Sequence, residues 1–190
     1  MAVDRRKQIL EAAAKSFALF GYKATTMDQV AKIANVGKGT IYTFFTNKEQ
    51  LFDQIVQQVI QEMKQIADRE IDPDKPFFEN LYRVLDRVLD FRAKHELIIK
   101  LSHELREFGT PMANSGLDKV EQAMLAYIER EVAQAVAKKE IRPVDPKVTA
   151  FIMLKLYTAL TSQWSHANPP LRKEEIQRHF QIHLIEGLAR

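Results

Sequence analysis

A chain of 190 residues that is 46% apolar and 28% charged has the composition of an ordered globular protein, either one domain or a small domain joined to a larger one. It contains no cysteine, which excludes disulfide frameworks, thiol nucleophiles and cysteine-ligated metal sites and suits a reducing cytoplasm. The net charge of +3 is unevenly spread: residues 1–48 hold eight Lys/Arg against three acids, a net of +5, and the remainder carries −2.

The N-terminus lacks the unbroken apolar run of a secretory signal. The most apolar stretch, 148–160, is interrupted by Lys155 and is too short to span a bilayer. Helical periodicity starts after Asp4, a candidate N-cap, and places Ile9, Ala13, Phe17 and Phe20 on one face, with Leu10 and Ala14 beside them. Gly21 is expected to end this helix. After a connector over 22–26, Thr26 and Gln29 form a capping-box pattern, and Val30, Ile33 and Ala34 make the inward face of a second helix. Asn35 is suited to a left-handed turn, and Gly37 to the N-cap of a short third helix over 38–45. Ile41 and Phe45, four apart, are its core face. Lys38, Thr40, Thr43 and Phe44 then point elsewhere, with Tyr42 at the margin. A helix, a tight turn and a short second helix on a basic segment are the outline of a helix-turn-helix that seats its second helix in the major groove.

A second capping box, Asn47 to Gln50, opens a long helix through Leu51, Phe52, Ile55, Val59 and Met63 to about Glu70. Residues 72–76 form a linker rich in Asp and Pro. Further helices are expected over about 77–94, 96–108 and 115–139. Another starts after the Asp145-Pro146 cap and runs to about 165, and the last spans about 172–188. No period-two strand pattern and no repeat occur, so the chain reads as all-α with about nine helices.

The segments 9–13, 17–22, 24–28, 39–42 and 45–51 are similar in order and spacing to the N-terminal quarter of TetR-family transcriptional repressors. Asn35 stands where that family usually has Gly, and Gly37 where Ser or Thr is usual. Thr43 and Phe44 replace a common aromatic–His pair, so the operator cannot be copied from a relative. The resemblance implies a DNA-binding domain over 1–48 and an effector-binding and dimerisation domain over 49–190. It implies a cytoplasmic homodimer on palindromic double-stranded DNA, a repressor released by a small lipophilic effector, with no enzymatic activity, cofactor or metal.

Thr26, Tyr42 and Lys48 match family positions that hold phosphates, which suits a hydroxyl at a helix start, a phenol and an ammonium. Thr25 is grouped with them, and Lys38, Gly39, Thr40, Thr43 and Phe44 are the base-edge candidates. The eighth helix is apolar on most faces and the ninth carries two apolar stripes. Phe151, Leu154, Ile176, Phe180, His183 and Leu184 are therefore expected in a two-fold interface. A monomer core is the alternative. Tyr82, Phe91, His103, Arg106, Phe108, Met124, Tyr127, Tyr157 and Trp164 are candidate pocket residues, although apolar stripes at this spacing usually form ordinary core. His179 and His183 lie four apart, but a third ligand is missing and packing is the expected role. A helical enzyme or carrier is the rival reading; no Ser-His-Asp spacing or Gly-rich phosphate loop is present, which argues against the enzyme. The large C-terminal body argues against a purely architectural DNA binder.

Overall fold

The structure is a computed structural model. It describes residues 4–186, apart from the side chains of Glu96, Ser102, Leu105, Arg106, Phe108 and His166. Among the described residues it is all-α, with helices α1 (Arg5–Ala24), α2 (Met27–Ile33), α3 (Lys38–Phe44), α4 (Lys48–Glu70), α5 (Phe77–Lys94), α6 (Glu96–Phe108), α7 (Pro111–Ala137), α8 (Pro146–Thr158) and α9 (Lys173–Phe180). By contact the chain forms two compact units: Met1–Glu62 with Arg92–Val120, and Met63–Phe91 with Glu121–Arg190.

In the first unit the inward stripe of α1 (Ile9, Ala13, Phe17) is fully buried with Val30, Ile41, Leu51 and Phe52. Burying one such aliphatic or aromatic side chain is worth about 1.5–3 kcal/mol. Phe17, Tyr22 and Phe52 form an aromatic cluster, with the Phe52 ring edge-on to both others at 5.3 and 4.9 Å. α7 passes close to this cluster through Gly116, where an added Cβ would lie 3.0 Å from the Phe52 ring. Asp4 caps α1, its carboxylate accepting from the Lys7 N–H.

The first helical run ends at Gly21, as the sequence suggests. Gly21 (φ 82°, ψ 173°) breaks it, and a further helical turn runs to Ala24. That break is closed from α6: the Glu104 carboxylate accepts from the Tyr22 N–H at 2.6 Å and the Lys23 N–H at 3.0 Å. Two faces also differ from expectation. Phe20, next to the Gly21 break (46%), and Ile33, the last residue of α2 (39%), are exposed.

The second unit packs around Phe77, Leu85, Leu89, Val132, Ile141, Met153, Ile176, Phe180 and Leu184. Asp145 caps α8 through the Lys147 and Val148 N–H groups, with Pro146 at the first helical position. α5 and α9 are joined at the rim of the core by Lys173, whose ammonium lies 2.7 Å from Asp86 and 2.8 Å from Asp90. Tyr127 donates to Asp68 at 2.7 Å, and Lys155 to Glu121 at 2.5 Å. α7 starts four residues earlier than expected, since Pro111 begins a helix rather than preventing one. α8 continues as a π turn (Ala159–Gln163) and a 3-10 turn (Trp164–His166), and α9 as a π turn (Gln181–Ile185). The expected last turn of the ninth helix, beyond residue 186, lies outside the described residues.

Candidate nucleic-acid interface

The basic N-terminal segment is built outward from two buried anchors. Ile41 and Phe45 are 0% and 1% exposed, and their spacing fixes which face of α3 is hidden. α2 is aligned above them from both ends. At its start the Thr26 hydroxyl accepts from the Gln29 N–H at 3.2 Å; only this half of the expected capping box forms. At its end the Gln8 side chain of α1 donates to the Ala34 carbonyl at 2.8 Å. Asn35 takes the left-handed conformation (φ 51°), and Gly37 caps α3 in an extended conformation, both as expected. Asn47 accepts from the Gln50 N–H at 2.8 Å and so starts α4; the return bond of Gln50 goes to the Thr46 N–H.

The face of α3 opposite the anchors is open. Lys38, Gly39, Tyr42, Thr43 and Phe44 are exposed and Thr40 is half-buried. Tyr42, expected at the margin, is 45% exposed, and Phe44 is 39% exposed. Two open aromatic rings on a seven-residue helix have no role in the chain's own core. Asp28 on α2 binds the Lys38 ammonium at 2.8 Å; this raises the lysine pKa and keeps it charged. Thr43 Oγ1 donates to the Thr40 carbonyl at 2.7 Å. Arg5, Arg6 and Lys7 are also exposed at the start of α1, and the Arg6 guanidinium sits 5.4 Å from the centre of the Phe45 ring.

Two of the phosphate candidates are occupied internally. Thr25 is fully buried: its hydroxyl donates to the Gly21 carbonyl at 2.8 Å and pairs with Ser16 at 3.1 Å, so it belongs to the scaffold. The Lys48 ammonium donates to the Tyr22 carbonyl at 3.0 Å and lies 4.2 Å from that ring's centre. The Tyr22 hydroxyl in turn donates to Glu49 at 2.6 Å. Burial, followed by this carboxylate, pushes the phenol pKa well up, and the bond holds that of Glu49 below the usual carboxylate value. Thr26 remains exposed. Tyr22 and Glu104, which fix the end of α1, were not singled out by the sequence. Their pairing spans 82 residues and carries no local signal.

The helix-8/9 candidates divide. Leu154, Ile176, Phe180 and Leu184 are 3–7% exposed and belong to the core of the second unit, so their placement in a two-fold interface is corrected. Phe151 is 51% exposed and His183 is also exposed, its ring stacked 5.7 Å from His179. The apolar residues left outside are Val148 (54%), Ile152 (52%) and Ile182 (42%), which the sequence reading did not select.

The pocket candidates do not form one group. Tyr82 and Trp164 are exposed, bonded to Gln177 and to the Pro169 carbonyl respectively. Tyr127 is buried with its hydroxyl on Asp68, and Phe91, Met124 and Tyr157 are half-buried in the second unit. His103 is exposed in the first unit. The Arg106 and Phe108 side chains lie outside the described residues. Among the described residues no group of three His, Cys, Asp or Glu is arranged to hold a metal, and no helix is long and apolar enough to cross a membrane.

Residues 9–55 match the family model described as bacterial regulatory proteins, tetR family. The chain is 50% identical over 189 residues to the "Uncharacterized HTH-type transcriptional regulator YhgD" of Bacillus subtilis (strain 168), covering 100% of this chain and 99% of the relative. It is 27% identical over 171 residues to the "Probable acrEF/envCD operon repressor" of Escherichia coli (strain K12), covering 86% and 77% of the two chains. Among solved structures it resembles the SmeT–triclosan complex, with a TM-score of 0.78 at 18% identity over 98% of this chain and 92% of that one.

Proposed function

Because the chain belongs to the TetR family of transcriptional regulators, we propose that it is a cytoplasmic repressor that binds a palindromic operator as a homodimer and is released by a small lipophilic effector. The observation that carries the DNA-binding part is the open face of α3, held outward by the buried Ile41 and Phe45 on the most basic segment of the chain. Thr26, Tyr42, Lys38 and the exposed cations of α1 are the phosphate contacts in this reading, and Thr40, Thr43 and Phe44 face the bases. Lys48 acts indirectly, by fixing the Tyr22 backbone. Residues 1–48 are the DNA-contacting part and 49–190 the effector and dimerisation part.

Dimerisation is assigned to Val148, Phe151 and Ile152, at positions i, i+3 and i+4 of α8, with Ile182 beside His183. Residues at that spacing form one face, and an exposed apolar face of this kind marks an interaction surface. Effector binding is supported by the triclosan held in the SmeT structure and by the half-buried Phe91, Met124 and Tyr157. An effector that prefers a dimer with the wrong spacing between its two heads needs only a few kcal/mol of differential affinity to empty the operator.

A salt titration on random duplex DNA tests the core of this reading. With about three to four phosphates neutralised per head, affinity should fall about a thousandfold between 50 and 200 mM salt. Undetectable or salt-independent binding would refute it. A second test uses Gly39, which lies inside α3 although an added Cβ would meet nothing within 4 Å. Gly costs up to about 0.5–1 kcal/mol relative to Ala in a helix, the upper end applying to interior positions rather than to a first turn, so neither packing nor helix formation explains it. Gly39→Ala should raise the unfolding free energy by up to that amount while weakening DNA binding, the extra methyl standing between helix and groove. Improved stability with unchanged affinity would remove Gly39 from the interface.

A further inference from the structure

We propose that α3 reads thymine C5 methyl groups through Thr43 and Phe44 and makes no bidentate hydrogen bond to a purine. This rests on the DNA-binding reading above and names how that surface discriminates between sequences. The pairings that read purines in the major groove are Arg or Lys on guanine O6 and N7 and Asn or Gln on adenine N6 and N7. Arg, Asn and Gln are absent from α3, whose sequence is Lys-Gly-Thr-Ile-Tyr-Thr-Phe. Its single cation, Lys38, is held towards α2 by Asp28 at 2.8 Å and is assigned above to a phosphate, and an ammonium lacks the planar fork of Arg.

The hydroxyl proton of Thr43 is directed back into the helix, onto the Thr40 carbonyl at 2.7 Å. Only a methyl group and oxygen lone pairs are left for a groove. Those lone pairs are repelled by the acceptors guanine O6, guanine N7 and thymine O4, and can take only a single, non-bidentate bond from adenine N6 or cytosine N4. Phe44, the next residue, is 39% exposed and has no polar atom. Thr43 and Phe44 together therefore offer mainly carbon, and the base edge that presents carbon in the major groove is that of thymine. Gly39 supplies the approach. It carries no side chain, and a Cβ built on it would meet nothing within 4 Å, so a base edge can come near enough for the short side chains of Thr40 and Thr43 to reach it.

The test is a deoxyuridine scan, which removes only the C5 methyl. The full chain is used to select a duplex from a random pool, and each thymine of that duplex is replaced in turn at fixed salt. One or two replacements per half-site should each cost about fourfold in affinity, the equivalent of roughly 0.8 kcal/mol for one buried methyl. Phe44→Ala and Thr43→Ser should each abolish the sensitivity at one of those positions, whereas Thr43→Val, which keeps a methyl, should retain it. Both sites are exposed, and the helical signal of each variant checks its fold. Deoxyuridine tolerated at every position overturns the proposal, as does a wild-type scan profile in Phe44→Ala and Thr43→Ser. In both cases the enriched duplex leaves the DNA-binding reading standing. Failure to bind or enrich any duplex overturns that reading instead.

Discussion

Phe151→Glu should give a folded monomer at micromolar concentration, with operator affinity lower by two to four orders of magnitude. Phe151 lies half exposed on α8 between Val148 and Ile152 and is not part of the core of the second unit. The isolated chain therefore loses little when its ring is removed. In a two-fold pair the substitution occurs twice and buries two carboxylates in an apolar contact, and an unpaired buried charge costs several kcal/mol. Each 1.4 kcal/mol weakens the dimer about tenfold, so a hundredfold or greater loss is expected. Operator affinity falls further because a monomer engages one half-site, and the effective concentration supplied by a linked second head is lost. Phe180→Glu should behave differently. Phe180 is 3% exposed, so that chain should unfold its second unit rather than dissociate. Sedimentation alongside circular dichroism separates the two outcomes, and a Phe151→Glu dimer of normal affinity would move the interface to another surface.

Gly21→Ala should destabilise the chain by about 4 kcal/mol or more, a large share of the roughly 5–15 kcal/mol typical of native proteins. Gly21 occupies φ 82°, ψ 173°, a region open almost only to glycine, and a side chain there costs about 1–3 kcal/mol. The new Cβ would also collide with Glu104 Oε2. Glu104 is 5% exposed and receives the Tyr22 and Lys23 N–H groups. Displacing it sacrifices two hydrogen bonds to a charged group, worth about 1.5–3 kcal/mol each. The two contributions separate in a double-mutant cycle. In a Glu104→Ala background the collision is gone, and Gly21→Ala should cost only the backbone strain. Equal costs in both backgrounds, measured by urea unfolding, would show that the carboxylate has no part in holding the turn.

What the sequence reveals about this chain is what short-range chemistry determines. Thr26, Asn47 and Asp145 each combine a capping side chain with a following amphipathic run, and each caps a helix in the structure. Asn35 and Gly37 mark the turn, and Ile41 with Phe45 marks the hidden face of α3, because both signals lie within one or two turns of helix. Thr25 shows where this stops. It is one of two adjacent threonines, the other a real cap, and only the Gly21 break, which turns it towards Ser16, puts it inside. α9 was ambiguous for a different reason. Its two apolar stripes are alike in composition, and which one meets the chain's own body depends on α5 and α7, supplied from far away in sequence. The stripe at Ile176, Phe180 and Leu184 is the inner one, so Ile182 is the residue left outside.

The Glu104 contact also affects the order in which the molecule is made. The first compact unit is discontinuous in sequence: Met1–Glu62 is completed by Arg92–Val120. A ribosome adding about 5–20 residues per second takes roughly 3–12 s to pass from the end of the first segment to the end of the second. For most of that interval the nascent helix-turn-helix has its own caps but lacks the carboxylate that secures the Gly21 turn, and it lacks the α7 segment that covers Phe52 until close to its end. The helix-turn-helix segment is synthesised first, yet it reaches its final form only after more than half of the chain has been translated.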